Sequence, residues 1–155
     1  MRTSRHGVRR AVAAVALALG AGLLAPPTAT AQDNTGTCEG GRFSALPPDG
    51  TSVSRGQVII YQVDIRVVDG DVLGCLRDVR LSPLLDFVVV RPDGYYSPEA
   101  QGGPTVSVVY DGPLSPGTYH GSVTMRVRAD APIGAVIEAS SGPMIRHVVR
   151  DRPAT

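Results

Sequence analysis

The chain has no lysine and no tryptophan, and among its 155 residues there are only two cysteines, two phenylalanines and five tyrosines. Without lysine, no Schiff base, no lysine general base and no Lys–Asn isopeptide crosslink can form. Without tryptophan, and with aromatics at 5%, a sugar-stacking cleft has little to be built from, which weighs against glycoside hydrolysis by paired carboxylates. The two cysteines do not form a C-x-x-C pair, so neither a dithiol redox centre nor a thiolate zinc site has support. All-arginine basicity, with abundant Ala, Gly, Pro and Val, points to GC-rich coding.

What is present first is an address. Arg2, Arg5, Arg9 and Arg10 precede a small, apolar stretch from Ala11 to Ala25, and Ala29-Thr30-Ala31 closes it. A charged start, an apolar middle and an A-x-A end form a secretory signal peptide. The apolar stretch is shorter than the roughly 20 residues that cross a bilayer. Cleavage between Ala31 and Gln32 is expected, giving 1–31 as signal peptide and no membrane span in the mature chain. Removing it takes four of the 15 basic residues and none of the 14 acidic ones, so 11 arginines face 14 acids for a formal charge of −3. Such a chain lacks the basic footprint of a nucleic-acid or anionic-lipid binder. Export also exposes Cys38 and Cys75 to an oxidising compartment, and the one possible pairing is expected as a disulfide.

Past the leader the dominant period is two. The segment 32–50 is polar and broken by Gly40-Gly41 and Pro47-Pro48-Asp49-Gly50, and reads as an irregular leader tied down through Cys38. From 57 to 68, Ile59, Tyr61, Val63, Ile65 and Val67 alternate with Ile60, Gln62, Asp64 and Arg66, the pattern of a half-buried strand. A second piece spans Leu76–Leu81, with Leu76, Val79 and Leu81 as its apolar members. Phe87–Val90 reads as a short buried strand, ended by a Pro92-Asp93-Gly94 turn, and Val106–Tyr110 is another, ended by a loop over 111–117. From Thr118 to Ala129 the alternation is cleanest, with Tyr119, Gly121, Val123, Met125 and Val127 on one face. Ala135–Ala139 and Met144–Val149 close the series. About seven short strands between Gly/Pro turns describe an all-β, immunoglobulin-like antiparallel β-sandwich over 51–150, with a tail at 151–155.

Several pieces resemble a known repeat: Arg55-Gly56-Gln57 before the long first strand, Asp78 to Leu84 in the middle, Leu114-Ser115-Pro116-Gly117 before the cleanest strand, and Ala129 to Ile137 after it. Together they resemble the immunoglobulin-like repeat domain of bacterial surface proteins, a domain of unknown function with an L-x-P-G, long strand, D-A-P-x-G-x-x-I order. Asp69-Gly70 and Ala139-Ser140 stand where such repeats commonly carry asparagine. The resemblance implies a sandwich fold; such repeats usually come as tandem stalks, and this chain carries a single copy.

Chemistry-bearing candidates are few. Gly112 to Gly117 has neither the spacing nor the helix start of a nucleophile elbow. His120 and His147 lie in strands without a second ligand at metal-binding offset, and read as solvent-face or partly buried side chains. Asp69 and Asp71 around Gly70 read as a solvated turn before a calcium site. No catalytic, cofactor-binding or metal residue is therefore assigned, and no cofactor is expected. The segment holding Arg91, Asp93, Tyr95 and Tyr96 is the candidate binding loop, because paired tyrosines on a rigid β scaffold supply broad contact area. The expected function is a secreted, non-enzymatic module that binds an envelope or extracellular protein or polymer. A secreted protease inhibitor using the loops at 91–104 and 111–117 is the alternative, and a small hydrolase or metal-dependent enzyme with a site assembled from distant residues is the third.

Overall fold

The computed structural model describes residues 34–151. The signal peptide, the Ala31/Gln32 junction and all but the first residue of the 151–155 tail lie outside the described residues. Ten strands follow one another: β1 (Thr37–Leu46), β2 (Ser52–Ser54), β3 (Val58–Val68), β4 (Val72–Leu81), β5 (Leu85–Arg91), β6 (Asp93–Ser97), β7 (Thr105–Leu114), β8 (Gly117–Val127), β9 (Val136–Ser140) and β10 (Met144–Arg150). They form a four-stranded sheet in the order β1-β3-β8-β5 and a six-stranded sheet in the order β2-β10-β9-β4-β7-β6. Every pair is antiparallel except the short β2 beside β10. The chain is all-β and folds as a sandwich.

The inner face of the four-stranded sheet is the alternation read from sequence. Ile59, Tyr61, Val63, Ile65 and Val67 of β3 and Val123, Met125 and Val127 of β8 are buried. Opposite them the six-stranded sheet contributes Val79, Leu81, Val106, Val108, Ile137 and Val149, among others, to the same core. Period two places each set on one side of its strand, and burying it between two sheets is the main stabilising term.

Three of the ten strands depart from the expected seven. The segment 32–50 is not an irregular leader throughout, because β1 occupies Thr37–Leu46 as an edge strand on β3. Its register shifts between Gly40 and Phe43, a bulge that breaks the alternation and so hides the strand. At this bulge the backbone packs so closely that a Cβ on Gly41 would lie 2.9 Å from the Asp64 carbonyl oxygen. The other two additions are β2 and β6.

Strand faces differ locally as well. Phe87–Val90 is not a buried run: β5 is an edge strand, and a register shift between Phe87 and Val89 leaves both Val88 and Val89 exposed. In β4 the inward set is Cys75, Arg77, Val79 and Leu81, while Leu76 is exposed. The expected 111–117 loop is mostly strand, since β7 continues to Leu114. Pro92 does not head a hairpin turn; between β5 and β6 the chain passes from the edge of one sheet to the edge of the other.

Two links close the seam between β1 and β4. Cys38 and Cys75 are disulfide-bonded with Cα atoms 6.2 Å apart. One level along, Arg77 reaches inward from β4 across to the β1 bulge. Its Nη1 donates to the carbonyls of Gly41 (3.0 Å), Arg42 (3.4 Å) and Asp64, while Nε donates to Ser141 Oγ (2.8 Å) and Nη2 to the Ser141 carbonyl (2.6 Å). All these acceptors are neutral, and burial lowers the pKa of the guanidinium below its ordinary value. Deeper in, Tyr110 Oη donates to the Val63 carbonyl, with its pKa pushed up to about 12, first by burial and then by the nearby Asp64 charge.

Candidate functional site

The outer face of the four-stranded sheet is set by register. Because directly paired residues point the same way, the face can be read as levels that run across the strands. One level is Leu46–Ile60–Thr124–Val89. The next toward the far end of β3 is Ser44–Gln62–Ser122–Arg91, and beyond it lies the Asp64–His120 pair. On the other side of the apolar level sits Val58–Arg126–Asp86.

The apolar level stays open to solvent. Leu46 is 55%, Ile60 37% and Val89 38% exposed, and Val58 beside them is 39% exposed. A row of aliphatic side chains across three of the four strands contributes nothing to the core that lies on the opposite face. Beside it is an open depression of about 720 Å³, lined by Leu46, Ile60, Gln62, Arg42, Arg91 and His120 among others. Its floor includes Asp64, which faces outward yet is buried. His120 Nδ1 lies 3.0 Å from Asp64 Oδ1; a carboxylate oxygen can only accept, so Nδ1 carries the proton and Nε2 is turned away from the pair.

The arginines of this face are free. Arg42, Arg66, Arg91 and Arg126 are all exposed and make no side-chain hydrogen bond or ion pair among the described residues. Elsewhere Arg128 is held by Asp130 at 2.9 Å, Arg146 by Glu138 at 2.9 Å and Arg55 by the Ala131 carbonyl at 2.7 Å, while Arg80 and Arg150 of the other sheet are exposed like the four of this face. The outer face of the six-stranded sheet is organised differently. There Leu76, Val136 and Met144 are exposed, but polar levels separate them, with the Arg146–Glu138 pair between Val136 and Met144 and the Asp78–Ser107 hydrogen bond (2.6 Å) one level from Leu76.

The sequence-derived candidates divide. Arg91 ends β5 and joins the outer face of the four-stranded sheet, but Asp93, Tyr95 and Tyr96 belong to β6, in the other sheet. The tyrosine segment is therefore an edge strand and not a loop, with Tyr95 opposite Ser107 and Tyr96 opposite Val106. Tyr96 stacks on Phe87 at 5.1 Å and packs against the core, while Tyr95 is exposed. His147 is not on a solvent face or partly buried. It is fully buried, with Nε2 3.0 Å from the Pro47 carbonyl oxygen and its ring edge-on to Tyr61. Its position between Ile145 and Val149 in an alternating strand carried that signal.

Of the four free arginines only Arg91 was singled out from sequence, and there as part of a loop with the tyrosines. Arg66 and Arg126 occupy the polar phase of two clean alternations, so their common face was legible. Arg42 and Arg91 come from edge strands whose bulges disguise their direction.

Among the described residues no three His, Cys, Asp or Glu side chains cluster as metal ligands, so Asp69 and Asp71 gain no third partner. The one His–carboxylate pair, His120 with Asp64, has no hydroxyl or thiol hydrogen-bonded to the imidazole among the described residues, and a nucleophile with its base requires that contact.

No family model matches the chain, and no curated protein matches it. The surface-protein repeat thus stays a resemblance. Among solved structures the chain is similar to the sixth cohesin from scaffoldin B of Acetivibrio cellulolyticus, crystallised in complex with a mutant Cel5 dockerin, at 14% identity and a TM-score of 0.41, over 74% of this chain and 100% of that one. A likeness this remote bears on neither site nor partner.

Proposed function

We propose that this protein is an exported, disulfide-braced, non-enzymatic module that binds another protein of the envelope or extracellular space through the outer face of its four-stranded sheet. The observation that carries the reading is the exposed aliphatic level Leu46–Ile60–Val89 with Val58 beside it, on a face bounded by unpaired arginines. Aliphatic and arginine side chains that fold stability leaves unused are the composition of a binding-patch centre. The signal-peptide pattern and the Cys38–Cys75 bond support export to an oxidising compartment. The protease-inhibitor alternative loses part of its first loop to β6.

Burying the exposed part of a Leu or Ile side chain contributes about 1 kcal/mol, so losing one of these residues weakens binding severalfold and losing two about 30-fold. The test is capture from envelope and medium of the producing cell, with the protein expressed under its own leader and purified as the host processes it. A saturable partner retained by the wild type is expected to be lost with Leu46→Asp/Ile60→Asp and kept with Glu138→Ala on the opposite sheet. Equal retention by all three would remove the face from the function.

A further inference from the structure

Resting on that reading, we propose that the partner presents an acidic, amphipathic polypeptide surface, with aliphatic side chains seated on the Leu46–Ile60–Val89 level and carboxylates on either side of them. The geometry of the cations supplies the argument. Arg91 lies one level from the apolar row on one side and Arg126 one level from it on the other. One level along a strand is two residues, or about 7 Å, a distance that an arginine side chain can span. Arg42 stands on the Arg91 side, at the lip of the depression next to Ile60 and Leu46. A ligand seated on the row thus meets positive charge on both flanks.

Arginine is specific in what it takes. The planar guanidinium matches a carboxylate with two parallel hydrogen bonds, and these four have no carboxylate committed to them among the described residues. Asp64 is engaged by His120. Asp86 and Glu39 stand directly across from Arg126 and Arg66 but form no ion pair with them among the described residues, Asp86 lying 3.9 Å from Arg128 instead.

Other anionic ligands fit less well. A nucleic acid or an anionic wall polymer would use the arginines but not the aliphatic row. A neutral glycan stacks on aromatic rings, and no aromatic side chain points out of this face: Phe43, Tyr61, Phe87 and Tyr119 occupy the inward phase of β1, β3, β5 and β8. Only a surface with both carboxylates and apolar side chains uses both features.

The probes are three synthetic peptides: a helical one with a leucine stripe flanked by glutamates, its twin with lysine in place of glutamate, and a polyglutamate without leucine. Binding is read by fluorescence anisotropy at low and high salt. The glutamate–leucine peptide is expected to bind, at least tenfold tighter than either other peptide, and to weaken severalfold as salt rises through the range where the Debye length contracts below about 10 Å. Arg42→Glu/Arg91→Glu and Arg126→Glu should each cost about tenfold with melting temperature unchanged, while Arg150→Glu, an exposed arginine off the face, should have no effect. Equal binding of the glutamate and lysine twins, binding of polyglutamate as tight as that of the amphipathic peptide, no binding of any peptide, or indifference to the arginine reversals would each overturn the proposal. If native capture still depends on Leu46 and Ile60 while these results fail, the face is a docking site for an uncharged partner, and only the acidic chemistry falls.

Discussion

Replacing Arg77 by methionine isolates the seam between the sheets. The aliphatic stem survives and the guanidinium goes, leaving the carbonyls of Gly41, Arg42, Asp64 and Ser141 and the Ser141 hydroxyl without their donor. A buried acceptor stripped of its partner costs about 1–3 kcal/mol, but the seam is partly open, so water replaces some of the donors. The β1 bulge decides the sum, because there the register shift denies Gly41 an ordinary ladder position. Removing the buried charge returns part of its desolvation cost, whose sign is visible in the lowered pKa of Arg77. A net loss of about 2–3 kcal/mol follows, or about 10 °C in a domain of this size. Urea unfolding of the disulfide-intact protein measures it, and hydrogen exchange at residues 40–43 should speed up before the rest of β1. Arg77→Lys, which can serve one or two acceptors, should recover about half. A loss under about 0.5 kcal/mol, or faster exchange everywhere alike, would refute the view that Arg77 latches the bulge.

Further outcomes follow from the core. Tyr61→Phe should leave stability unchanged or raise it by up to about 1 kcal/mol, because the Tyr61 hydroxyl is buried with no partner among the described residues; a clear loss in thermal unfolding would mean that it has one. Gly121→Ala should destabilise by more than about 2 kcal/mol, since its Cβ would collide with Tyr110 Oη and lie 3.0 Å from the Arg91 carbonyl oxygen; a soluble variant with an unchanged urea midpoint would contradict that packing. Burial raises the pKa of both Tyr61 and Tyr110, the latter to about 12, so above about pH 10 the unfolded chain releases phenolic protons that the folded one keeps. Stability is therefore undiminished by these groups below about pH 10 and falls from there toward pH 12. Urea midpoints across that range test it, and phenolate absorbance from both groups near pH 10 in the folded protein would contradict it.

How much of this was legible in the sequence depends on the period. Where alternation ran unbroken, in β3 and β8, the inward set came out residue by residue, because one wrong phase would have buried Asp64 and Arg66 with the core. Where one extra residue breaks the register, the same reasoning failed: the bulges at Gly40–Phe43 and Phe87–Val89 turned an edge strand into an apparent leader and an exposed strand into an apparent buried one. The proposed docking face inherits both errors, since Leu46, Arg42, Val89 and Arg91 come from those two strands. Arg77 and His147 were legible and missed. Each stands at an inward position between buried neighbours, and a polar residue there must find partners inside. The tyrosine pair misled for the opposite reason, because Gly-Pro punctuation around it reads as a loop while pairing with β7 makes it a strand.

The most direct test of the docking face is site-specific photocrosslinking in the producing cell, with a photoreactive amino acid at Thr124, in the middle of the apolar level, and in a second variant at Glu138 on the outer face of the six-stranded sheet. A single protein crosslinked from Thr124 and not from Glu138 is the expected result. The same partner captured from Glu138 alone would contradict the account.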